Sequence, residues 1–283
     1  MKRLRKRLLV TFVSVVFSVL VILSGLQISV VAVHNSWEHW KPNYEKQDIS
    51  ALLEKTERTQ EDYETLYAQT GLTKLGIDGL IEANRKDRIL KIQEFYFKDV
   101  ERNCKKFFPY TYIEEMNEYG LYCALEAGDI IVSATTHSVF LRVGHAVIVL
   151  ENAVVGDGAI VAESLSPGTL STKSIASLGL DLANYMVLRP TGIPKEIRAK
   201  AVEYASKEMQ GLKYDFTIGI FSKKFAETPT KTNCAHLCWY PYKKFGYDVD
   251  GNGGLTVKPQ DIANSPYMEV VQIYGFNPQK LWK

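Results

Sequence analysis

The chain has 283 residues, of which 46% are hydrophobic and 23% are charged, a balance typical of a globular protein with one large domain or two small ones. Five basic residues fall within the first seven positions, so the formal net charge of +2 becomes about −3 for the rest of the chain. This charge excludes the basic surface that nucleic-acid binding requires, and the composition excludes a disordered chain.

Residues 8–33 form an uncharged apolar run directly after the basic N-terminus. The run exceeds the roughly 20 residues that a membrane-spanning helix needs, whereas the apolar part of a signal peptide takes about 7–15. We therefore expect residues 1–33 to be a signal-anchor, with removal as a signal peptide after Ala32 as the alternative. The basic flank predicts a cytoplasmic N-terminus, which makes the chain a single-pass cell-membrane protein with its remainder outside the cytoplasm, or a secreted protein.

A polar stretch, residues 34–50, follows as a predicted juxtamembrane linker in which His34 and His39 are solvated. Residues 51–103 have the apolar spacing of helices. They predict a first helix that stops at Gly71 and one or two amphipathic helices after it.

From residue 128 onward the pattern becomes that of strands. Short β-branched runs are bounded by Gly, Asn or Pro, and they read GDIIVSA, HAVIVLEN, AIVAES and YMVLRP. A helix is predicted from Pro194 to just before Gly211, and a final strand covers residues 269–275.

Three reactive side chains stand in these predicted elements. His145 begins a hydrophobic strand, Glu163 lies among apolar neighbours in the next strand, and Cys234 begins an amphipathic run that Thr232 or Asn233 could cap. The positive end of a helix and a neighbouring imidazolium both favour a thiolate. A cysteine, a histidine and an acid that orients the histidine are the minimum set for acyl transfer through a thiol, although a histidine in a strand is more often structural.

The four cysteines have other interpretations outside the cytoplasm. Cys104 and Cys123 are candidates for a disulfide. Cys234 and Cys238 are four positions apart, which on a helix gives no preferred disulfide geometry and makes Cys238 a packing residue. With His236 they would offer zinc three ligands, but no second CxxC or HxxxH pair completes the four of a structural site, so we expect no metal ion or cofactor.

Two further stretches compete with this interpretation. The loop DVDGNGG places Asp248, Asp250 and Asn252 at the first ligand positions of an EF-hand calcium loop, but position twelve is Pro259 instead of glutamate. A glycine-rich turn is therefore the preferred interpretation. His137, in a predicted loop, is the alternative to His145 as a catalytic base.

The order of these stretches resembles the permuted NlpC-type papain-like hydrolases, specifically the YiiX/YycO-like group. The matching stretches, GDIIVS, GHAVIVLEN, AIVAES, YDFTIG and TNCAHLCWYPYKKFGYDVDGNGG, fall within residues 65–275. In that group the histidine strand precedes the cysteine helix, as here, whereas ordinary NlpC-type peptidases have the reverse order. The resemblance implies an α+β, circularly permuted papain-like fold over residues 51–283, with an antiparallel β-sheet packed against helices and a helical N-terminal part.

The resemblance implies that Cys234 is the nucleophile and His145 the general base, with Glu163 as the group that orients His145. The backbone N–H of Cys234 would supply part of an oxyanion hole. Tyr214 lines the substrate cleft or packs as an aromatic residue; both interpretations stay open.

Some residues depart from the family pattern. Small or acidic and then aliphatic residues usually follow the cysteine, whereas the sequence here continues AHLC. His236 is predicted to lie on the helix surface, with contact to substrate as the alternative, and Pro241 is expected to kink the helix. The Asn-Cys-x-His order also resembles the lecithin:retinol acyltransferase-like branch, whose members move acyl groups from lipids.

Family and location together favour a cell-surface cysteine hydrolase that cleaves an amide bond in cell-wall peptide through a Cys-His-Glu triad and a thioester acyl-enzyme. A lipid acyl hydrolase or acyltransferase is the second hypothesis, and a non-catalytic envelope-binding module is the third. The expected partners are peptidoglycan peptide or an acyl lipid, and the membrane through the N-terminal segment, without nucleic acid.

Overall fold

The computed structural model describes residues 2–37 and 39–282. Within them the α-helices are α1 (Lys2–Asn35), α2 (Ser50–Glu54), α3 (Gln60–Thr70), α4 (Lys74–Glu82), α5 (Lys86–Phe97), α6 (Lys195–Lys207), α7 (Cys234–Lys244) and α8 (Pro259–Ala263). The strands are β1 (Arg102–Phe108), β2 (Thr111–Met116), β3 (Ile130–Ser133), β4 (Thr136–Ser138), β5 (Leu141–Arg142), β6 (His145–Val149), β7 (Ile160–Glu163), β8 (Thr172–Ile175), β9 (Tyr185–Pro190), β10 (Lys213–Tyr214), β11 (Lys231–Thr232) and β12 (Met268–Tyr274). The chain is therefore α+β with antiparallel sheets and an N-terminal apolar helix, as the sequence predicts at this level.

Six strands form the main sheet in the order β12-β9-β3-β6-β7-β8, and every neighbouring pair is antiparallel. Successive side chains of a strand point to opposite faces of a sheet. Ile130 and Val132 accordingly join a core with α6 and α7, whereas Ile131 joins a second core with α3, α4 and α5. Because both faces of the sheet are covered at its centre, β3 and β9 are buried along their whole length instead of alternating between buried and exposed residues.

The helices before the sheet follow the predicted pattern with two corrections. The first predicted helix does stop at Gly71, which has a φ of +71°, but it is divided into α2 and α3. Thr59 begins α3 with a capping box, in which its hydroxyl accepts the N–H of Asp62 and the Asp62 carboxylate accepts the N–H of Thr59. The second helical stretch ends at Phe97, so the prediction of helix up to residue 103 is wrong there, because β1 begins at Arg102.

Helix α1 is long and apolar enough to cross a membrane, a property that a signal sequence shares. An 18-residue window within Arg5–Asn35 has a mean hydropathy of 2.6, and this window is not buried against the rest of the chain. A helix of 34 residues extends for about 51 Å, longer than the roughly 30 Å of a bilayer core. The last turns of α1 instead meet the globular part, where Val30 is buried.

The described residues of the predicted linker pack against the globular part. Trp37 lies edge-on against Phe276 and Trp282. The prediction that His34 and His39 are solvated is wrong, because each has a ring nitrogen 3.2 Å from a carboxylate oxygen of the buried residue Glu114. The start of the linker is therefore part of the folded structure.

A second, four-stranded antiparallel sheet has the order β1-β2-β4-β5, and the sequence did not indicate it. Cys104 is exposed on β1, whereas Cys123 is buried. Both thiols are free, so the disulfide alternative for this pair is wrong.

The acidic residue of the GDII stretch, Asp129, forms a buried ion pair. Asp129 is fully buried and accepts hydrogen bonds from Arg189, at 3.0 Å from Nε and 2.8 Å from Nη2. The pair joins the start of β3 to its neighbour β9, so it fixes two central strands of the main sheet.

We predict that Asp129→Asn lowers the free energy of unfolding by about 3–5 kcal/mol, because it removes the fully buried carboxylate and leaves the Arg189 guanidinium only the partly exposed Glu126 as a counter-charge. Urea unfolding followed by circular dichroism measures the change. Glu203→Gln is the control, since the Glu203–Lys207 pair is exposed and should contribute nothing measurable. Equal free energies of unfolding for the two variants would contradict the proposed contribution of the buried pair to stability.

Candidate active site

The main sheet brings His145 and Glu163 together at one end of two neighbouring strands. His145 is the first residue of β6 and Glu163 is the last residue of β7, and the two strands are antiparallel neighbours. The start of one such strand lies beside the end of the other, and the register makes these residues diagonal neighbours on one face. Their side chains are 3.3 Å apart, between His145 Nε2 and Glu163 Oε2, and only 18% and 15% exposed.

Cys234 is brought to the same end of the strands by helix α7. It is the first residue of α7, which packs on β6 and β7. Of the two predicted caps, Asn233 is the one found: its side-chain oxygen accepts the N–H of His236 at 2.9 Å. The Cys234 side chain is largely buried and lies close enough to His145 to raise the pKa of its imidazole.

The surroundings of His145 favour its charged form. Burial alone lowers the pKa of His145, but hydrogen bonds and charge interactions with Cys234 and Glu163 outweigh burial and raise it to about 10. The imidazole has the acid 3.3 Å from Nε2 and the thiol among its neighbours, and these are the three groups that acyl transfer through a cysteine uses.

Glu163 is held in its charged form by the same contact. Burial raises the pKa of Glu163, but hydrogen bonds from His145 and from Ser174 on the neighbouring strand β8 lower it below its ordinary value. Ser174 was not among the predicted site residues, and no spacing or motif in the sequence singles it out. Its strand, β8, was not predicted either.

A glycine allows the chain to enter β6. Gly144 has a φ of +66°, which side chains other than glycine rarely adopt. A Cβ atom at this position would lie 2.4 Å from the carbonyl oxygen of Ser133 on β3. Gly144 therefore lets β6 begin in register with β3, and this register sets the position of His145.

Tyr214 lies close to the thiol. It is half-buried on β10, which pairs in parallel with β11 two residues before Cys234. Burial and the neighbouring Cys234 raise the pKa of Tyr214 above its ordinary value, so its hydroxyl stays protonated at neutral pH. A role for Tyr214 in lining the substrate cleft stays a prediction.

The prediction that His236 lies on the helix surface is wrong: the residue is 3% exposed. Its Nε2 donates to the carbonyl oxygen of Lys224 at 3.0 Å, and its Nδ1 is 3.1 Å from the Thr232 hydroxyl. Burial lowers the pKa of His236 to about 4, so the ring is neutral. Both ring nitrogens face internal partners, which makes His236 a brace for the start of α7. Cys238 is fully buried one turn further on, as its predicted packing role requires.

The two aspartates that could bind calcium, Asp248 and Asp250, form ion pairs with lysine side chains instead. The Lys224 ammonium donates to the Asp250 carboxylate, and to the carbonyl oxygen of Gly254 at 2.7 Å. Asp248 likewise accepts hydrogen bonds from Trp239 and Lys243. The carboxylates of the loop therefore pair with neighbouring side chains of the protein, in line with the preferred interpretation of the loop as a glycine-rich turn.

His137, the alternative base, belongs to a different part of the molecule. It lies in β4 of the four-stranded sheet and not in a loop, and its ring is fully buried. Its neighbours are Glu114, Cys104 and Tyr112. His145, and not His137, therefore meets Cys234.

Comparisons with protein-family models, with curated proteins and with solved structures found no match to this chain.

We predict a pH-dependent stability contribution from His145. A histidine whose pKa rises on folding stabilises the protein fully below its unfolded pKa of about 6.5, and this contribution is lost as the pH rises through the folded value, here about 10. The difference in unfolding free energy between wild type and His145→Gln should therefore shrink from pH 7 to pH 10 in urea titrations.

His236→Gln is the matched control for this measurement. With a pKa near 4, His236 is neutral in the folded state throughout this range, so its contribution should not change between pH 7 and pH 10. If the His145→Gln difference also stayed constant, the raised pKa of His145 would be wrong.

Proposed function

We propose that the chain is an extracytoplasmic cysteine hydrolase with a permuted NlpC-type papain-like fold, and that it cleaves an amide bond in cell-wall peptide. One observation carries the proposal: Cys234 begins a helix beside His145, and His145 Nε2 lies 3.3 Å from Glu163 Oε2. A thiol, an imidazole and a carboxylate grouped in this way are the reactive groups of a thiol hydrolase.

The order of elements supports the permuted arrangement. The histidine strand β6 and the acid strand β7 precede α7 along the chain, and all three pack together. Helix α1 supports an anchored form, since its apolar stretch is exposed and basic residues precede it. The basic flank orients the helix with its N-terminus in the cytoplasm and the hydrolase outside.

The mechanism begins from a thiolate–imidazolium pair, in which His145 already carries the proton of the Cys234 thiol, because the surroundings of His145 favour its charged form. The thiolate attacks the carbonyl carbon of the substrate, and the oxyanion that forms accepts a hydrogen bond from the backbone N–H of Cys234, since the first N–H groups of a helix lack intrahelical partners. The imidazolium then protonates the leaving amine as the C–N bond breaks, which leaves a thioester. His145 next takes a proton from water, whose attack on the thioester releases the acid and restores the thiolate–imidazolium pair.

Tyr214 and Glu163 assist without forming covalent bonds. Glu163 holds Nε2 of His145 and so fixes the orientation of the imidazole ring. Tyr214, whose hydroxyl stays protonated near Cys234, is the residue that we expect to line the substrate cleft. His236 takes no part in the reaction, because its ring nitrogens have internal partners.

One observation favours an acyl-lipid substrate as the second candidate. The loop after Tyr214 exposes Phe216, Ile220 and Phe221, and Phe221 is 86% exposed. Leu255, 76% exposed, adjoins this loop, because a Cβ atom on Gly219 would overlap the Leu255 carbonyl oxygen. An apolar surface next to the thiol suits an acyl chain better than a peptide.

We predict that the full chain in detergent releases amine from muropeptides and that Cys234→Ser lowers turnover at least about a thousandfold. His145→Gln should lower it about a hundredfold or more, because the general base is lost. New amino groups are quantified by mass spectrometry of the products. Glu203→Gln is the control, since Glu203 is exposed on α6 outside the site, and it should keep wild-type turnover.

Phospholipid vesicles in a parallel assay separate the remaining hypotheses. If fatty acid is released and its release requires Cys234, the substrate is an acyl lipid and not a cell-wall amide. Turnover of neither substrate, together with retained binding of cell-wall fragments, would favour the non-catalytic envelope-binding module. Muropeptide cleavage that survives Cys234→Ser would contradict the proposed nucleophile.

A further inference from the structure

A second cluster of metal-binding side chains lies away from the candidate active site. His34 Nδ1, Cys104 Sγ and His137 Nε2 all lie within 4.8 Å of one another. Glu114 adds a carboxylate: its Oε1 is 3.2 Å from His34 Nδ1 and 3.7 Å from His137 Nε2. None of these four side chains has a part in the proposed hydrolysis.

The four-stranded sheet builds three sides of this cluster. Cys104 on β1 pairs directly with Glu114 on β2, so both side chains are on one face. His137 on β4 pairs with Tyr112, two residues before Glu114 on β2, and therefore shares that face. The fourth side chain, His34, comes from the last turn of α1, which packs against β4.

The separations suit a small tetrahedral ion. Zinc bonds of about 2.0–2.1 Å to nitrogen or oxygen and about 2.3 Å to sulfur place tetrahedral ligand atoms about 3.3–3.6 Å apart. The cluster has 3.2 Å between His34 Nδ1 and Glu114 Oε1, and 3.7 Å from His137 Nε2 both to Glu114 Oε1 and to Cys104 Sγ. Glu114 does not belong to the group whose ligand atoms all lie within 4.8 Å of one another, so a tetrahedral site requires the Glu114 carboxylate and the exposed Cys104 thiol to move towards each other.

Two of the four side chains in the cluster are buried, and some buried polar atoms in and beside the cluster have no hydrogen-bond partner. Glu114 is 1% exposed and His137 is fully buried. Among the residues that the structure describes, buried atoms without a hydrogen-bond partner include Glu114 Oε2, His137 Nδ1 and His39 Nδ1. None of these three atoms is a proposed ligand atom, and Glu114 Oε2 lies 3.2 Å from His39 Nε2, so what points to an ion is the grouping of His34, Cys104 and His137 beside the buried Glu114 carboxylate.

We propose that His34, Cys104, Glu114 and His137 bind a structural zinc ion that ties the end of α1 to the four-stranded sheet. This departs from the expectation of no metal, which rests on the cysteines around residue 234 alone. Two imidazoles, a thiolate and a carboxylate form a ligand set that zinc accepts. Binding releases the proton of the Cys104 thiol as the Zn–S bond forms.

The surroundings of the four ligands complete the site. His39 Nε2 lies 3.2 Å from Glu114 Oε2, and Arg142 Nη2 donates to Glu114 Oε1 at 2.9 Å, so the carboxylate is oriented by outer partners. The thiolate and the carboxylate together balance the charge of Zn²⁺. The remaining charge, on Arg142, is shared with the carbonyl oxygens of Ala134 and Val33.

The ion has a way in, because the two ligands at the rim are accessible. Cys104 is exposed and the His34 side chain is 37% exposed. The buried pair, Glu114 and His137, forms the floor of the site. Zinc would therefore enter after the sheet has formed and fix α1 last, which sets the direction of the apolar helix relative to the globular part.

Cobalt and zinc binding by the full chain tests the proposal. The protein is purified in detergent, stripped with a chelator and titrated with Co²⁺, which should give a near-ultraviolet thiolate charge-transfer band and the strong visible bands of a tetrahedral site. Zn²⁺ should displace it at one equivalent. Cys104→Ser should abolish the thiolate band and weaken Zn²⁺ binding at least about tenfold, and His34→Gln should weaken binding similarly.

Cys234→Ser is the matched control, because it removes one thiol outside the cluster and should leave the thiolate band intact. A measurement on the wild type avoids any effect of substitution on folding: Zn²⁺ should protect the exposed Cys104 from iodoacetamide, as read by mass spectrometry of its peptide. A thiolate band that survives Cys104→Ser, or alkylation of Cys104 that Zn²⁺ leaves unchanged, would overturn the proposal.

Discussion

The antiparallel pairing of β6 with β7 is the constraint on which the candidate active site depends. It brings His145 and Glu163, 18 positions apart in the chain, to the same edge of the sheet. Gly144 sets the register on one side, and the packing of α7 on β6 delivers Cys234 on the other. A shift of one residue in either strand would turn the histidine or the acid to the opposite face.

Much of this arrangement could be predicted from local sequence. The central strands are β-branched runs, and Asn233 marks the start of α7 because its side chain can take an unpaired N–H of the first turn. Local patterns are therefore enough to place His145 and Cys234 at the ends of their elements. That they meet depends on contacts across 89 positions of chain, which a local pattern does not encode, and here the family resemblance supplied the prediction.

The second sheet and its cluster could not be predicted in the same way. Strand β1 is exposed along its whole length, so it lacks the alternation of apolar and polar residues that indicates a strand. The partners of Glu114 come from α1, from the irregular segment after it and from the short strands β4 and β5. His34 and His39 look like solvated linker residues because burial comes from a sheet whose nearest strand begins more than sixty positions later.

The rate at which Cys234 is alkylated tests the central claim most directly, because it needs no knowledge of the substrate. Iodoacetamide labelling of the full chain at pH 6, with a chelator present, is followed by mass spectrometry of each cysteine peptide. A thiol of ordinary pKa, about 8.5, is almost wholly protonated at this pH. The account predicts that Cys234 reacts at least about tenfold faster in wild type than in His145→Ala, while the exposed Cys104 reacts equally in both. Equal rates at Cys234 would contradict it.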